Sequence, residues 1–243
     1  MTGLVQFERQ GDVAWLTLNR PDKRNALNLA LWGELEAHLD AIEALGDELG
    51  AVVLRANGPV FCAGNDLKER GVTPPRANYQ SSIVKRLAEL PQPVVVAVQG
   101  GCFTGGLELA LAGDIILAGE SASFADTHGK FALVPIWGMS QRLPRRVGEW
   151  KARELSFTGL PVSGAEAARI GLANHCVPDA ELAARTRQIA EAIAAQSRHS
   201  VLAYKRLYRA QADLPLDAGL AWEIVNSEGV GPDFAERVGG QFG

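Results

Sequence analysis

Three short runs of apolar residues constrain the fold of this chain more than any other feature. They are AVVLRA (51–56), PVVVAVQG (93–100) and IILAG (115–119). Runs of this length that are rich in Val and Ile predict β-strands buried on both faces. Helical patterns lie between them, at residues 77–90 and over GGLELALAGD (105–114). Because alternating strands and helices are typical of a parallel sheet with right-handed crossovers, we predict an α/β fold.

The segment before these runs predicts a hairpin and a helix. Residues 4–20 alternate apolar and polar side chains around Gly11-Asp12, which predicts two antiparallel strands joined by a tight turn. From Asn28 to Leu45, leucine and isoleucine recur every three to four residues. This spacing predicts an amphipathic helix with Asn28 as its N-cap.

Beyond Gly148 the pattern becomes mainly helical. Helical periodicity is found in five segments, 149–158, 163–170, 179–197, 199–211 and 215–228. Only HCV (175–177) favours an extended conformation. We therefore predict an α/β core over residues 1–185 and a helical C-terminal region over residues 186–243. Helices this late in the chain, with Trp222 among their apolar residues, could cover a neighbouring subunit.

Composition and charge exclude several classes of protein. Hydrophobic residues make up 47% of the 243 residues, and the net charge of −4 disfavours general affinity for nucleic acid or anionic membranes. The longest uncharged run, 90–107, is broken by prolines and glycines, so we predict no membrane span. The N-terminus lacks the pattern of a signal peptide, and Cys62, Cys102 and Cys176 have no metal-ligand spacing. We expect a cytoplasmic protein with reduced thiols and no metal site.

Two glycine-bearing turns, FCAGND (61–66) and GGCFTGGLE (100–108), each follow a buried run. Ligands of open α/β sheets bind beyond the carboxyl ends of the strands, and glycine lets the backbone approach a ligand. Two such turns side by side could aim one N–H each at a single oxygen and so form an oxyanion hole. Equally, they could be two tight turns that pack the sheet. Neither matches a phosphate-binding or dinucleotide-binding loop.

Glu108 and His128 are the two residues that could act on protons near these turns. If Gly105 is the N-cap of its helix, Glu108 stands at N3, either as a capping glutamate or as a general base. His128 could be a partly exposed loop histidine, with Asp126 and Thr127 forming a turn, or it could face Glu108 across a cleft and exchange protons near neutral pH.

A basic cluster near the middle of the chain has two interpretations. It consists of Arg142, Arg145, Arg146, Lys151 and Arg153. Such clusters are more often a solvated helix face than a site, although this one could meet phosphates.

Several motifs taken together resemble the enoyl-CoA hydratase/isomerase (crotonase) superfamily over most of the chain. They are LNRPDKRNAL (18–27), FCAGNDLKE (61–69), GGLELALAGDIILAGESASF (105–124), QRLPRRVG (141–148) and FTGLPVSGAEAARIGLANHCV (157–177). The resemblance implies a spiral of ββα units, a helical C-terminal trimerisation region, and a homotrimer or a dimer of trimers. It also implies an acyl-CoA thioester as substrate, with no cofactor apart from the coenzyme A of the substrate itself.

The resemblance also assigns site residues. It places the oxyanion hole at the N–H groups of Asn65 and Gly105. Coenzyme A would lie along two segments, with contacts from Arg24, Ala26, Ala63, Asp66, Leu67 and Lys68. Hydratases of the family use two glutamates to add water across the α,β double bond. The first maps onto Glu108, and the second falls on His128.

This difference at His128 leaves more than one reaction open. Isomerases of the family keep an acid at the second position and lack the first, so a plain isomerase is disfavoured. Trp137 and Met139 stand where typical hydratases have small residues, which predicts an altered acyl pocket with Trp137 against the substrate. The leading expectation is a hydratase-like lyase with Glu108 and His128 as catalytic pair. The alternatives are hydrolytic or retro-Claisen cleavage of a β-keto acyl-CoA or β-diketone, and a non-catalytic acyl-CoA-binding trimer.

Overall fold

The computed structural model describes residues 3–69, 71–211 and 214–239. Its strands are β1 Val5–Gln10, β2 Val13–Leu18, β3 Ala51–Ala56, β4 Val94–Val98, β5 Gly101–Phe103, β6 Ile115–Gly119, β7 Ser123–Ala125, β8 Val162–Ser163 and β9 His175–Val177. Its α-helices are α1 Leu29–Leu45, α2 Tyr79–Glu89, α3 Gly105–Ala110, α4 Met139–Val147, α5 Glu149–Thr158, α6 Gly164–Arg169, α7 Asp179–Ala194, α8 Arg198–Gln211, α9 Leu216–Asn226 and α10 Phe234–Gly239. The mixed α/β fold predicted from the sequence is confirmed.

The larger sheet has six strands in the order β1-β2-β3-β4-β6-β9. The hairpin strands β1 and β2 are antiparallel, and every other neighbouring pair is parallel. Alternate residues of β3 point to opposite faces, so Val52 and Leu54 pack with α1 and α2 while Val53 packs with α7. Burial on both faces explains why β3, β4 and β6 read as nearly continuous apolar runs.

A second, smaller sheet was not predicted from the sequence. It contains β5, β7 and β8, and β5 runs parallel to β7. Strands of two or three residues are too short to produce a period-2 pattern, so they cannot be recognised from one sequence. This small sheet matters because β5 leads into α3 and β7 leads towards His128.

Several helical predictions need adjustment. Asn28 is the N-cap of α1, and its side chain accepts a hydrogen bond of 3.0 Å from the N–H of Leu31, as predicted. The segment 163–170 contributes β8 as well as α6, and α4 was missed because it is largely polar and contains Pro144. The boundary predicted at residue 185 falls inside α7, which packs on the sheet through Leu182 and Ala190. The division into two domains stays a prediction.

The C-terminal helix α9 exposes its apolar side chains. Leu216, Leu220, Ile224 and Val225 are all more than half exposed, and no residue of α9 is buried. The expected trimer or dimer of trimers stays a prediction. In the described ranges, no helix has the length and hydrophobicity required to cross a bilayer.

Candidate active site

The two glycine-bearing turns contact each other next to strand β5, where Cys62 pairs with Cys102. Gly64 has a φ of +99°, a conformation that favours glycine. A Cβ atom added there would lie 3.0 Å from the carbonyl oxygen of Phe103 and 3.5 Å from the nitrogen of Gly105. Glycine at position 64 therefore allows the first turn to approach the start of α3 closely.

Two main-chain N–H groups on these turns are free to bind a ligand. The N–H of Leu27 donates to the carbonyl of Gly64, and the N–H of Asp66 donates to the carbonyl of Leu27. The N–H of Asn65, which lies between Gly64 and Asp66 in the chain, has no acceptor among the described residues. Gly105 is the first residue of α3, where amides have no intrahelical acceptor. Among the residues described, neither N–H donates a hydrogen bond to the protein.

Glu108 points into the interior rather than capping its own helix. The N-cap of α3 is Thr104, so the expectation of Gly105 as N-cap and Glu108 at N3 is wrong. The Glu108 side chain is almost fully buried, and its Oε1 accepts hydrogen bonds from the N–H groups of Trp137 at 2.8 Å and Met139 at 3.1 Å. These two amides orient the carboxylate and leave Oε2 for other partners.

His128 is one of those partners. Its Nε2 lies 3.6 Å from Glu108 Oε2, and its ring is buried, so the interpretation as a partly exposed loop histidine is wrong. The other ring nitrogen, Nδ1, lies 2.6 Å from Asp126 Oδ1. A carboxylate can only accept, so Nδ1 carries the hydrogen of this bond. The three side chains form a row in the order Asp126, His128, Glu108.

The electrostatics of this row favour a charged imidazole. Burial alone would lower the pKa of His128, but the hydrogen bonds with Asp126 and Glu108 outweigh it and raise the pKa to about 9. Burial would likewise raise the pKa of Asp126, yet hydrogen bonds from His128 and Ser156 hold it below its usual value. At neutral pH the imidazolium is therefore held between two carboxyl groups.

A cavity of about 430 Å³ lies next to the first glycine-bearing turn. Most of the residues expected to bind coenzyme A line it, whereas Glu108, His128 and Gly105 do not. Its walls include Asn65 of the expected oxyanion hole and six residues expected to bind coenzyme A, which are Arg24, Ala26, Ala63, Asp66, Leu67 and Lys68. Arg20, Lys23, Thr104, Phe131 and Leu133 complete much of the wall and were not foreseen. Arg20 is paired with Asp66 at 2.6 Å, a contact that lowers the pKa of Asp66. Lys23, Arg24 and Lys68 are exposed and available to phosphates.

Trp137 lies above Gly105 instead of on the wall of this cavity. A Cβ atom added to Gly105 would be 2.3 Å from Cζ3 of the indole, so the ring covers the start of α3. The ring packs edge-on against Trp32 with 5.1 Å between ring centroids. The Trp137 carbonyl accepts a hydrogen bond of 2.8 Å from Arg142.

The basic cluster is only partly a solvated face. Arg142 supports the Trp137 carbonyl, and Arg146 donates to the carbonyls of Gly113 and Asp114. Burial lowers the pKa of both guanidinium groups. Arg142 therefore supports the loop that contacts Glu108, whereas Arg146 supports the segment between α3 and β6.

Comparison with known proteins assigns the chain to one family. The family model described as enoyl-CoA hydratase/isomerase matches residues 8–231. A probable peroxisomal enoyl-CoA hydratase 1 of Arabidopsis thaliana is 34% identical, with 90% of this chain and 84% of that protein covered. A 1,2-epoxyphenylacetyl-CoA isomerase of Escherichia coli is 35% identical over 76% of this chain and 73% of its own.

The solved structures lead to the same family. A crystal structure of an enoyl-CoA hydratase from Bacillus anthracis superposes with a TM-score of 0.91 at 34% identity, covering 98% of this chain and 95% of that one. The chain belongs to the enoyl-CoA hydratase/isomerase family and has the crotonase fold. Since relatives at similar identity are named for hydration and for isomerisation, membership alone does not define the reaction. One relative is named peroxisomal and another mitochondrial, so the cytoplasmic location stays a prediction.

Proposed function

We propose that the protein hydrates 2-enoyl-CoA thioesters. The observation that carries the proposal is the pairing of Glu108 with His128, whose reactive atoms are 3.6 Å apart next to two unpaired main-chain N–H groups. The names of several relatives, all enoyl-CoA hydratases, support the same reaction.

The thioester carbonyl would accept hydrogen bonds from the N–H groups of Asn65 and Gly105. These donors stabilise the negative charge that develops on the oxygen when water adds at C3. The coenzyme A part would occupy the 430 Å³ cavity, with its phosphates near Lys23, Arg24 and Lys68. We expect no cofactor or metal ion beyond the coenzyme A of the substrate.

Glu108 and His128 would divide the proton transfers between them. Glu108 takes a proton from water as the water oxygen bonds to C3, and the imidazolium of His128 gives its Nε2 proton to C2. The product then carries one hydroxyl and one added hydrogen, which balances one water molecule. Transfer of the proton from Glu108 to His128 over the short gap between Oε2 and Nε2 restores the starting state.

The test is an assay of crotonyl-CoA hydration, which is monitored through the loss of absorbance of the conjugated thioester. Glu108→Gln keeps the shape and one acceptor for the amides of Trp137 and Met139 but removes the base. We expect kcat to fall about 10²–10⁴-fold with little change in KM. Glu154→Gln, which alters an exposed glutamate paired with Lys151, is the matched control and should retain full activity.

Three outcomes would contradict the proposal. Wild-type kcat in Glu108→Gln would remove Glu108 from the reaction. An inert wild-type protein that gains hydration through His128→Glu would mean that the scaffold is intact but serves another reaction. Coenzyme A binding without turnover of any thioester would favour the non-catalytic alternative. Gly105→Pro removes one N–H donor and should abolish turnover in a folded protein.

Hydrolysis or retro-Claisen cleavage of a β-keto acyl-CoA is the second candidate. It is favoured by the Asp126–His128 pair, which resembles the aspartate–histidine pair of catalytic triads, where the histidine acts as general base. That role needs a neutral imidazole, whereas the pKa of about 9 keeps His128 charged at neutral pH. Hydration, which uses the charged form as an acid, fits this pKa better. Release of free thiol from the substrate would distinguish thioester hydrolysis from hydration.

A further inference from the structure

Thr104 adopts a backbone conformation that is unusual for its residue type. Its φ and ψ are +52° and −113°, a region populated mainly by glycine and disfavoured for a β-branched side chain. Thr104 directly precedes Gly105, the residue with the free N–H at the start of α3. The fold therefore places a threonine side chain beside the oxyanion donors in a conformation that glycine would adopt more easily.

The hydroxyl of Thr104 is hydrogen-bonded to the hydroxyl of Thr127. Two hydroxyl groups carry two hydrogens, and this bond uses one of them. Across the part of the chain that the structure describes, neither hydroxyl has a second partner. Thr104 is 9% exposed and lies on the wall of the coenzyme A cavity. A buried O–H hydrogen without an acceptor on a cavity wall indicates an acceptor atom on the ligand.

The position of this hydroxyl defines which ligand atom it can reach. The Cβ atom of Thr104 would be 3.5 Å from a Cβ added to Gly64, and Gly64 precedes Asn65. Thr104 is thus next to Gly105 in the chain and packs against the residue that precedes Asn65. Thr127, its partner, directly precedes His128. A group bound by Asn65 and Gly105 is consequently next to the Thr104 side chain.

We propose that the Thr104 hydroxyl, oriented by Thr127, is a third hydrogen-bond donor to the thioester oxygen. Thr127 donates to Thr104, and Thr104 donates its own hydrogen to the substrate oxygen held by Asn65 and Gly105. This inference rests on the oxyanion hole of the proposed function but not on the choice of hydration. The bond strengthens as the oxygen gains negative charge, so it contributes more in the transition state than in the ground state.

The kinetic test compares three substitutions. Thr104→Val keeps the β-branched shape and removes the hydroxyl, and we expect kcat for crotonyl-CoA to fall about 10²-fold at nearly constant KM. Thr104→Ser retains the hydroxyl and should stay within about threefold of wild type. Thr127→Val removes the orienting partner and should give an intermediate loss of about tenfold. Equal kcat in wild type and Thr104→Val would overturn the inference.

A second test does not depend on hydration. Acetoacetyl-CoA is an enolisable β-keto thioester, and an oxyanion hole increases its enolate fraction on binding, which is visible by ultraviolet absorbance. We expect a smaller enolate fraction with Thr104→Val than with wild type or Thr104→Ser. If hydration fails but this order holds, the inference stands while the proposed reaction is wrong. If wild type itself shows no added enolate, the oxyanion site and the inference are both rejected. A lower melting temperature of Thr104→Val with an unchanged enolate fraction would mean that the threonine pair only stabilises the contact between two loops.

Discussion

The buried carboxylate of Asp126 can be tested as the group that keeps His128 protonated. Asp126→Asn removes the charge but keeps the shape of the side chain. The pKa of His128 is about 9 against an ordinary value of 6.5, and Asp126 is the largest of the influences that raise it. Without that carboxylate, burial weighs more heavily, so we expect the pKa to return towards 6.5.

The expected effect on rate follows from the fraction of imidazolium. At pH 7.5 a pKa of about 9 leaves roughly 97% of His128 charged, and a pKa near 6.5 leaves roughly 9%. A step in which the imidazolium donates a proton should therefore slow about tenfold, equivalent to roughly 1.4 kcal/mol. At pH 5.5, where His128 is mostly protonated in wild type and in Asp126→Asn, the difference in kcat should largely disappear.

The assay is the pH dependence of kcat for hydration, together with an NMR titration of the histidine ring protons. The alkaline limb of the kcat profile should move from about pH 9 in wild type towards pH 6.5 in Asp126→Asn. His38, His175 and His199 provide internal controls in the same spectra. Asp179→Asn, which alters a carboxylate bonded to Ser121, should leave the profile unchanged.

One result would refute this reasoning. If the NMR titration of His128 stays near pH 9 in Asp126→Asn, the carboxylate does not maintain the charge. A fall in kcat with an unmoved alkaline limb would instead give Asp126 a role in holding the ring in place.

Three other predictions concern stability and substrate size. Because the pKa of His128 is raised on folding, its contribution to the free energy of unfolding is complete below about pH 6.5 and lost as the pH rises through about 9. Chemical denaturation should show this decline, and His128→Gln should show a flatter profile over the same window. Trp137→Phe removes the ring edge above Gly105 and should raise kcat/KM for eight-carbon relative to four-carbon enoyl-CoA; an unchanged ratio would mean that Trp137 does not limit the acyl group. Gly106→Ala would place a Cβ 2.5 Å from the carbonyl oxygen of Cys62 and should destabilise the protein by about 1–3 kcal/mol in thermal melts. Gly33→Ala is the control, because its Cβ would be 3.7 Å from the Tyr79 hydroxyl, and it should be neutral or stabilising in the same melts.

The parts of the fold that depend on local pattern were predictable from the sequence. Strand β3 begins and ends at the predicted residues, because a run buried on both faces is apolar throughout. Helix α4 was missed because it has just two buried apolar residues, Met139 and Leu143, which are too few for a periodic pattern. Pro144 inside the helix also argued against one. The small sheet depends on contacts between distant segments, such as Cys102 with Phe124, and leaves no periodic signal.

The candidate site was predictable in its residues but not in its contacts. Glu108 and His128 could be named from their chemistry and from the resemblance, yet the amides that hold Glu108 come from the distant loop that carries Trp137. The sequence offers Asp126 only as part of one possible turn, so its hydrogen bond with His128 was not predicted. The strained conformation of Thr104 could not be foreseen, since a single sequence does not reveal a positive φ at a non-glycine residue.

The two amides that hold Glu108 belong to the same segment as the indole that covers Gly105. Trp137 donates its N–H to the carboxylate and places its ring over Gly105, and Met139 supplies the second N–H. A substitution that changes this segment will therefore also change the orientation of the Glu108 carboxylate. If Trp137 limits the acyl group as proposed, selectivity and turnover will change together, and compensating substitutions should be sought among the residues that support the loop, beginning with Arg142.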